Sequence, residues 1–211
     1  MSEAKYAQVM EWPYPVHYGK ENEIAADVLI IGGGIAGCHA AINAAKRGAK
    51  VVVVDKAAVI RSGSGGAGVD HWHGACTNPC SKVTPEEMVE AEGSFLQYFA
   101  GHLNYITCKE SYDALLDVEK MGVKVRDVDD EFAGAEFRDE KTKLMFAYDY
   151  ENKNCIRVQG VNIKPALYNE LNRLNVEMCE HVMVTSLLTE GGKQGSRVVG
   201  ATGVNVRTGE F

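Results

Sequence analysis

The sequence has no apolar run long enough to cross a bilayer. Its longest, Val28–Ile31 with the glycines and small residues that follow, falls far short of the ~20 residues a spanning helix needs. No basic run and no basic amphipathic helix offsets the net charge of −7, which argues against nucleic acid as a partner, while the short apolar runs argue against direct membrane insertion. The first twenty residues are polar and aromatic, with Pro13 and Pro15, and lack the basic and apolar regions of a secretory signal. The cysteines at 38, 76, 80, 108, 155 and 179 follow no disulfide-framework spacing. They read as reduced thiols of a cytoplasmic protein, most of them small buried hydrophobes. Internal repeats and low-complexity tracts are also absent. With 45% hydrophobic and 24% charged residues among 211, what remains is a globular chain of one large domain, or of one domain with an appendage.

What is present is concentrated between residues 27 and 56. An apolar strand, Asp27–Ile31, runs into Gly32-x-Gly34-x-x-Gly37. An alanine-rich helix follows to about Arg47, with Gly48 as its C′ glycine, and a second strand, Val51–Val54, ends at Asp55-Lys56. The β-branched run of the second strand suits a strand buried on both faces of a parallel sheet. Gly32 permits the tight turn, Gly34 lets the backbone approach a pyrophosphate, and Gly37 lets the helix pack close to the strand. The amides of Ile35 and Ala36 open the helix and face the phosphates with its positive dipole end, while the Asp55 carboxylate can accept hydrogen bonds from a ribose. The order strand, turn, helix, strand, acid predicts a dinucleotide-binding half-site; the alternative is a glycine-rich turn in an unrelated α/β protein.

A second glycine-rich segment, Ser62-Gly63-Ser64-Gly65-Gly66-Ala67-Gly68, separates the dinucleotides. A nicotinamide unit needs no such loop directly after its second strand. A flavin does, because its bulky ring and ribityl-pyrophosphate must be approached closely by backbone, and serine hydroxyls and successive amides can donate to its oxygens. A flexible surface loop is the bland alternative. Next comes Asp70-His71-Trp72-His73-Gly-Ala-Cys76-Thr-Asn-Pro-Cys80. Two imidazoles and two thiols in so short a span invite a metal, but the spacing is not a common zinc pattern and no metal site is assigned. The preferred reading has Asp70, His71 and His73 at the flavin edge or a substrate pocket with Trp72 near the ring; the plainer one has the histidines satisfying backbone groups. The acids Asp127, Asp129, Asp130 and Glu131 lack an EF-hand spacing and read as a solvated loop.

The organisation expected is a leader over residues 1–25 and a single domain over 26–211 with a surface excursion at about 124–160. Thr84 precedes Pro85-Glu86-Glu87 as an N-cap, opening a helix to about Phe99. Further helices are predicted from about Leu103 to Met121 and over Ile163–Leu174. Strands are predicted at Val176–Cys179 and Val198–Val206, the latter looking for a partner beyond Arg207-Thr-Gly209.

As a set, Ala26–Gly37, Val54-Asp55-Lys56, Arg61-Ser62-Gly63 and Gly65–Gly68 resemble the flavoprotein subunits of the fumarate reductase/succinate dehydrogenase family, which includes L-aspartate oxidase and the α subunit of adenylylsulfate reductase. Met121-Gly-Val, Arg157-x-x-Gly160, Ala166-Leu-Tyr, Val176-Glu, Val184–Leu188, Val198–Ala201 and Arg207-Thr-Gly209 extend the likeness. The resemblance implies an α/β, Rossmann-like FAD-binding domain with a parallel sheet and a β-meander, ending before a capping domain. Glycines 32, 34 and 37 would hold the pyrophosphate, Asp55 the ribose, Ser62–Gly68 the flavin, and the backbone near Val184 the adenine. Many family members carry a flavin-tethering histidine in Arg-Ser-His; here Gly63 stands in its place, so the resemblance implies non-covalent FAD and points toward the adenylylsulfate-reductase-like and aspartate-oxidase-like branches. It further implies an oxidoreductase acting on a small-molecule substrate and exchanging electrons with an iron–sulfur partner subunit. The dicarboxylate-binding residues of the family lie beyond Phe211, so no catalytic residue is assigned. The competing expectations are a non-catalytic FAD-fold assembly module of a redox complex and adenylylsulfate-reductase-like chemistry.

Overall fold

Val28-Leu-Ile-Ile forms β1 (Val28–Ile31), and the glycines after it turn the chain into α1 (Ile35–Lys46). A computed structural model describes residues 17–96 and 98–211, which divide into two compact units: one made of the described residues up to Gly66 together with Leu167–Phe211, the other of Ala67–Ala166. Most of the leader expected over residues 1–25 lies outside the described residues. In the first unit, α1 buries Cys38, Ala41 and Ile42 and ends at Arg47, with Gly48 at φ +85° in the C′ position. The chain returns as β2 (Val51–Asp55), parallel to β1 in the register Val28↔Val51 to Ile31↔Val54.

The second unit opens with β3 (His71–Trp72). The capping box expected at Thr84 is formed: its hydroxyl accepts the Glu87 N–H at 3.2 Å, the Glu87 carboxylate accepts the Thr84 N–H at 2.9 Å, and α2 (Pro85–Phe95) follows. The long helix α3 (Gly101–Lys120) packs against α2, and Gly122 at φ +100° ends it. Two short strands, β4 (Met145–Phe146) and β5 (Ile156–Arg157), join β3 in an antiparallel sheet of order β3-β5-β4. The segment read as a surface excursion is therefore built into this unit's interior: Val125, Leu144, Met145, Phe146, Cys155, Ile156 and Val158 are all buried. Asp127 is a correction to the solvated reading of its acidic cluster. Its side chain is 1% exposed and lies 2.8 Å from the guanidinium of Arg138, equally buried, while its two oxygens accept the amides of Glu131 and Phe132 at 3.0 Å. A carboxylate with a guanidinium and two amides on it needs no water.

α4 (Ile163–Arg173) carries the chain back into the first unit, where Leu167 and Leu171 are buried and Glu170 lies 3.8 Å from Lys46 of α1. β6 (Glu177–Glu180) lies parallel to β2, giving the order β1-β2-β6. Because β2 is the middle strand, it is the one buried on both faces; β6 is half-exposed. The antiparallel part expected as a meander is β7 (Val182–Thr189) paired with β8 (Val198–Asn205). The partner of the strand near 198–206 thus precedes it in the chain, contrary to the expectation of a returning arm after Arg207. Residues His17–Asn22 run beside Thr208–Phe211 through three backbone hydrogen bonds of 2.6–2.9 Å and a Lys20–Glu210 ion pair at 3.1 Å.

Candidate functional site

The first unit gathers the motif residues at the carboxyl ends of β1 and β2. Gly32 takes φ +102°, which L side chains avoid, and its amide donates to Val54 O at 2.8 Å, so the turn remains tied to β2. At Gly37 a Cβ would sit 1.8 Å from Gly32 O, so only glycine lets α1 start this close to the strand it follows. Gly34 is the N-cap of α1. It offers no side-chain cap, and the first turn has no acid, so the amides of Ile35, Ala36 and Gly37 open the helix without a competing carboxylate.

Asp55 is buried at the tip of β2. Its Oδ2 accepts the Gly33 N–H at 2.6 Å and its Oδ1 the Ala57 N–H at 2.7 Å. The acid expected to face a ribose therefore also braces the glycine turn, a role its position in the motif did not reveal. Lys56 beside it is exposed.

The second glycine loop reaches the first. Gly63, at φ +79°, would place a Cβ 2.9 Å from Gly34 Cα, so the two glycines abut backbone to backbone. Gly66 is fixed similarly, since a Cβ there would meet Arg61 O at 2.0 Å; Gly65 is buried and Ser64 exposed. Ser62 is buried and its hydroxyl donates inward to Val59 O at 3.4 Å, so of the two serines expected to reach a ligand only Ser64 is left open. Val184 lies on β7 opposite Gly203, half-buried.

Ala67 and Gly68 open the second unit. Gly68 needs its glycine there for another reason: at φ +118° a Cβ would touch Val161 Cα at 3.0 Å and Gly160 O at 3.1 Å. Within this unit the Asp70–Cys80 segment scatters its donors. His71 Nδ1 lies 2.5 Å from Asp70 Oδ1 and 3.3 Å from the Tyr148 hydroxyl, and His73 Nε2 lies 3.2 Å from Glu92 Oε1. Cys76 neighbours Cys108, and burial, followed by that thiol, pushes it up to about 12; Cys80 Sγ is 3.5 Å from the Thr142 hydroxyl. The four residues weighed as metal ligands thus share no hydrogen-bond partner, and among the described residues no three His, Cys, Asp or Glu side chains converge as a metal-binding set. The Trp72 indole N–H, expected near the flavin ring, donates to the hydroxyl and carbonyl of Ser111 at 2.8 and 3.0 Å. His71, Trp72 and His73 line a surface cleft of about 470 Å³ with Ile106 and Glu110 of α3.

Sequence reasoning did not single out Gly33, whose amide Asp55 accepts, or Val59, whose carbonyl accepts the Ser62 hydroxyl. The signal for Gly33 was the unbroken Gly-Gly-Gly run.

The profile of the FAD binding domain matches residues 27–210. A fumarate reductase (CoM/CoB) subunit of Methanothermobacter marburgensis is 30% identical over 195 residues, covering 87% of this chain and 32% of that protein. In fold, the chain is similar to adenosine-5-phosphosulfate reductase in complex with sulfite (TM-score 0.75, 24% identity, 98% of this chain and 31% of that one). It is also similar to a flavocytochrome c3 fumarate reductase (TM-score 0.63, 21% identity, 91% and 32%). The chain spans about a third of the length of each of these proteins. No helix among the described residues is long and apolar enough to cross a membrane.

Proposed function

This chain belongs to the FAD binding domain family, in the domain carried by flavoproteins of the fumarate reductase/succinate dehydrogenase type, and from that premise we propose that it is the cofactor-holding part of an FAD-dependent oxidoreductase. The observation that carries the reading is the abutment of Gly34 and Gly63 at the uncapped start of α1. Backbone alone meets backbone beside the helix start, since a Cβ on Gly63 would fall 2.9 Å from Gly34 Cα. The amides of Ile35, Ala36 and Gly37 would hold the pyrophosphate, with Gly32 and Gly34 shaping the approach. Asp55 keeps lone pairs beyond the two amides it accepts and would take a ribose hydroxyl, with Lys56 at the rim. Ser62 through Gly66 would line the flavin, and the backbone at Val184 the adenine.

Bound FAD supplies two-electron redox chemistry; the chain's part is to bind it, orient it and set its potential through amide dipoles. Gly63 offers no nucleophile, so retention would be non-covalent. In the complete enzyme we propose a small-molecule substrate, an iron–sulfur electron partner and a cytoplasmic setting.

The test is the visible spectrum of the purified chain, with and without added FAD, followed by acid precipitation. Flavin bands whose colour moves wholly to the supernatant are expected. Colour retained in the pellet would contradict non-covalent binding. A chain that stays colourless after incubation with FAD would remove the FAD reading.

A further inference from the structure

Between β2 and the second glycine loop the chain must cross residues 56–62, and two carboxylates from neighbouring strand tips hold that crossing. Asp55 and Glu180 are register partners on β2 and β6. Asp55 takes the amide of Ala57 and Glu180 Oε1 takes that of Val59 at 2.7 Å, so alternate amides of one short segment are anchored on adjacent strands. The His181 amide adds a bond to Ala57 O at 3.3 Å. Val59 itself is fully buried, and its methyls lie 2.8 and 3.0 Å from where a Cβ on Gly33 would be. Val59 is thus the floor of the first glycine turn. It is also the start of the second loop, because its carbonyl accepts both the amide and the hydroxyl of Ser62 at 3.4 Å, directly before Gly63 meets Gly34.

We infer that Glu180 is a positioning residue of the FAD site: through the Val59 amide its carboxylate fixes the distance between the Gly32–Gly34 turn and the Gly63–Gly66 loop. This rests on the FAD reading above. Glu180 touches neither glycine loop, and its effect passes through Val59. An amide on a fully buried residue that loses its charged acceptor must find another, so the segment shifts toward a new acceptor or toward solvent. Any movement of Val59 is transmitted to Gly33 from below and to Gly63 along the chain. The contact to the amide needs an acceptor oxygen and not a charge, so glutamine serves where alanine does not.

The experiment compares wild type, E180A and E180Q in two measurements. Hydrogen exchange of the apo chain reads the Val59 and Gly33 amides, and a fluorescence titration with FAD reads affinity. E180A is expected to lose protection at Val59 and Gly33 and to bind FAD about tenfold more weakly, whereas E180Q stays within about threefold of wild type with protection restored. If E180A does not fold, E180D, whose carboxylate is one methylene short of the amide, replaces it with the same expected direction. Equal FAD affinity in E180A and wild type overturns the inference and leaves the FAD reading standing. Protection lost evenly over the first unit, with no rescue by glutamine, also overturns it, since that marks general destabilisation. A wild-type chain that takes up no FAD overturns both.

Discussion

The Asp55 carboxylate accepts the Gly33 amide at 2.6 Å, which ties the end of one strand to the turn that leaves the other. A carboxylate at the end of the second strand is expected to meet a ribose; here it also holds the middle glycine of the turn in place. In the proposed reading one side chain serves both binding and scaffold. That makes its substitution costly before any ligand is present. Asp55→Ala would leave the amides of Gly33 and Ala57 without their charged acceptor and is expected to cost about 2–3 kcal/mol of stability. Asp55→Asn, which keeps one acceptor oxygen, should lose about half of that. Urea unfolding of the apo chain checks the first number, and a D55A variant as stable as wild type would remove the scaffold role.

The glycine at 63 is required by its surroundings as well as by what it lacks. Gly63→Ala brings a Cβ to 2.9 Å from Gly34 Cα and places a side chain at φ +79°. The backbone conformation alone costs about 1–2 kcal/mol, and the contact forces the two loops apart. G63A is expected to fold with reduced stability and to lose FAD affinity more steeply than stability. Gly63→His, although it supplies the residue type that the family resemblance associates with tethering, should yield no acid-stable flavin, because the loop cannot seat it. Flavin in the acid pellet of G63H would refute this.

Stability should fall at both ends of the pH range, for opposite reasons. Burial raises the thiols of Cys76, Cys108, Cys155 and Cys179, Cys76 to about 12 from an ordinary 9.0. The unfolded chain then loses those protons first as pH rises, so the stability present below pH 9.0 declines between there and about 12. On the acid side, the Thr142 amide holds Asp139 below its usual range, the Asn152 amide does so for Asp149, and Arg173 for Glu170. Their contribution is present above the ordinary carboxylate range and is lost as pH falls through the lowered values. Unfolding midpoints in urea across pH should show this profile. In the same way, alkylation of Cys76, Cys108 and Cys155 at pH 8 should be slow in the native chain and fast in urea; equal rates would contradict the burial of these three thiols.

What was legible in the sequence was what is local. The β1–α1–β2 unit could be read because each of its requirements, the turn at Gly32, the close packing at Gly37 and the C′ position of Gly48, is set by residues a few positions apart. The same holds for the Thr84–Glu87 capping box. The interior of the second unit was not legible, because its strands are two residues long and its pairing is distant: Lys124 bridges to Gln159 and Arg126 to Leu144. Asp127 looked solvated because the guanidinium that neutralises it arrives from Arg138, on a separate turn. Glu180 was invisible for the same reason. Its partner at Val59 is brought to it only when β6 pairs with β2.

Trp72 offers a test of the second unit on its own terms. Its indole N–H is shared between the carbonyl and hydroxyl of Ser111, and that hydroxyl donates onward to His73 O at 3.0 Å. The chain of bonds fastens β3 to the middle of α3. Phenylalanine fills most of the ring's volume but has no donor, so Trp72→Phe isolates the hydrogen bond from the packing and should cost about 1–2 kcal/mol. Ser111→Ala removes the hydroxyl from both neighbours and should cost a comparable amount. Because both substitutions break the same network, the double variant should be less destabilised than the sum of the two. Additive losses would mean that the indole and the hydroxyl act independently and that no shared network fastens β3 to α3.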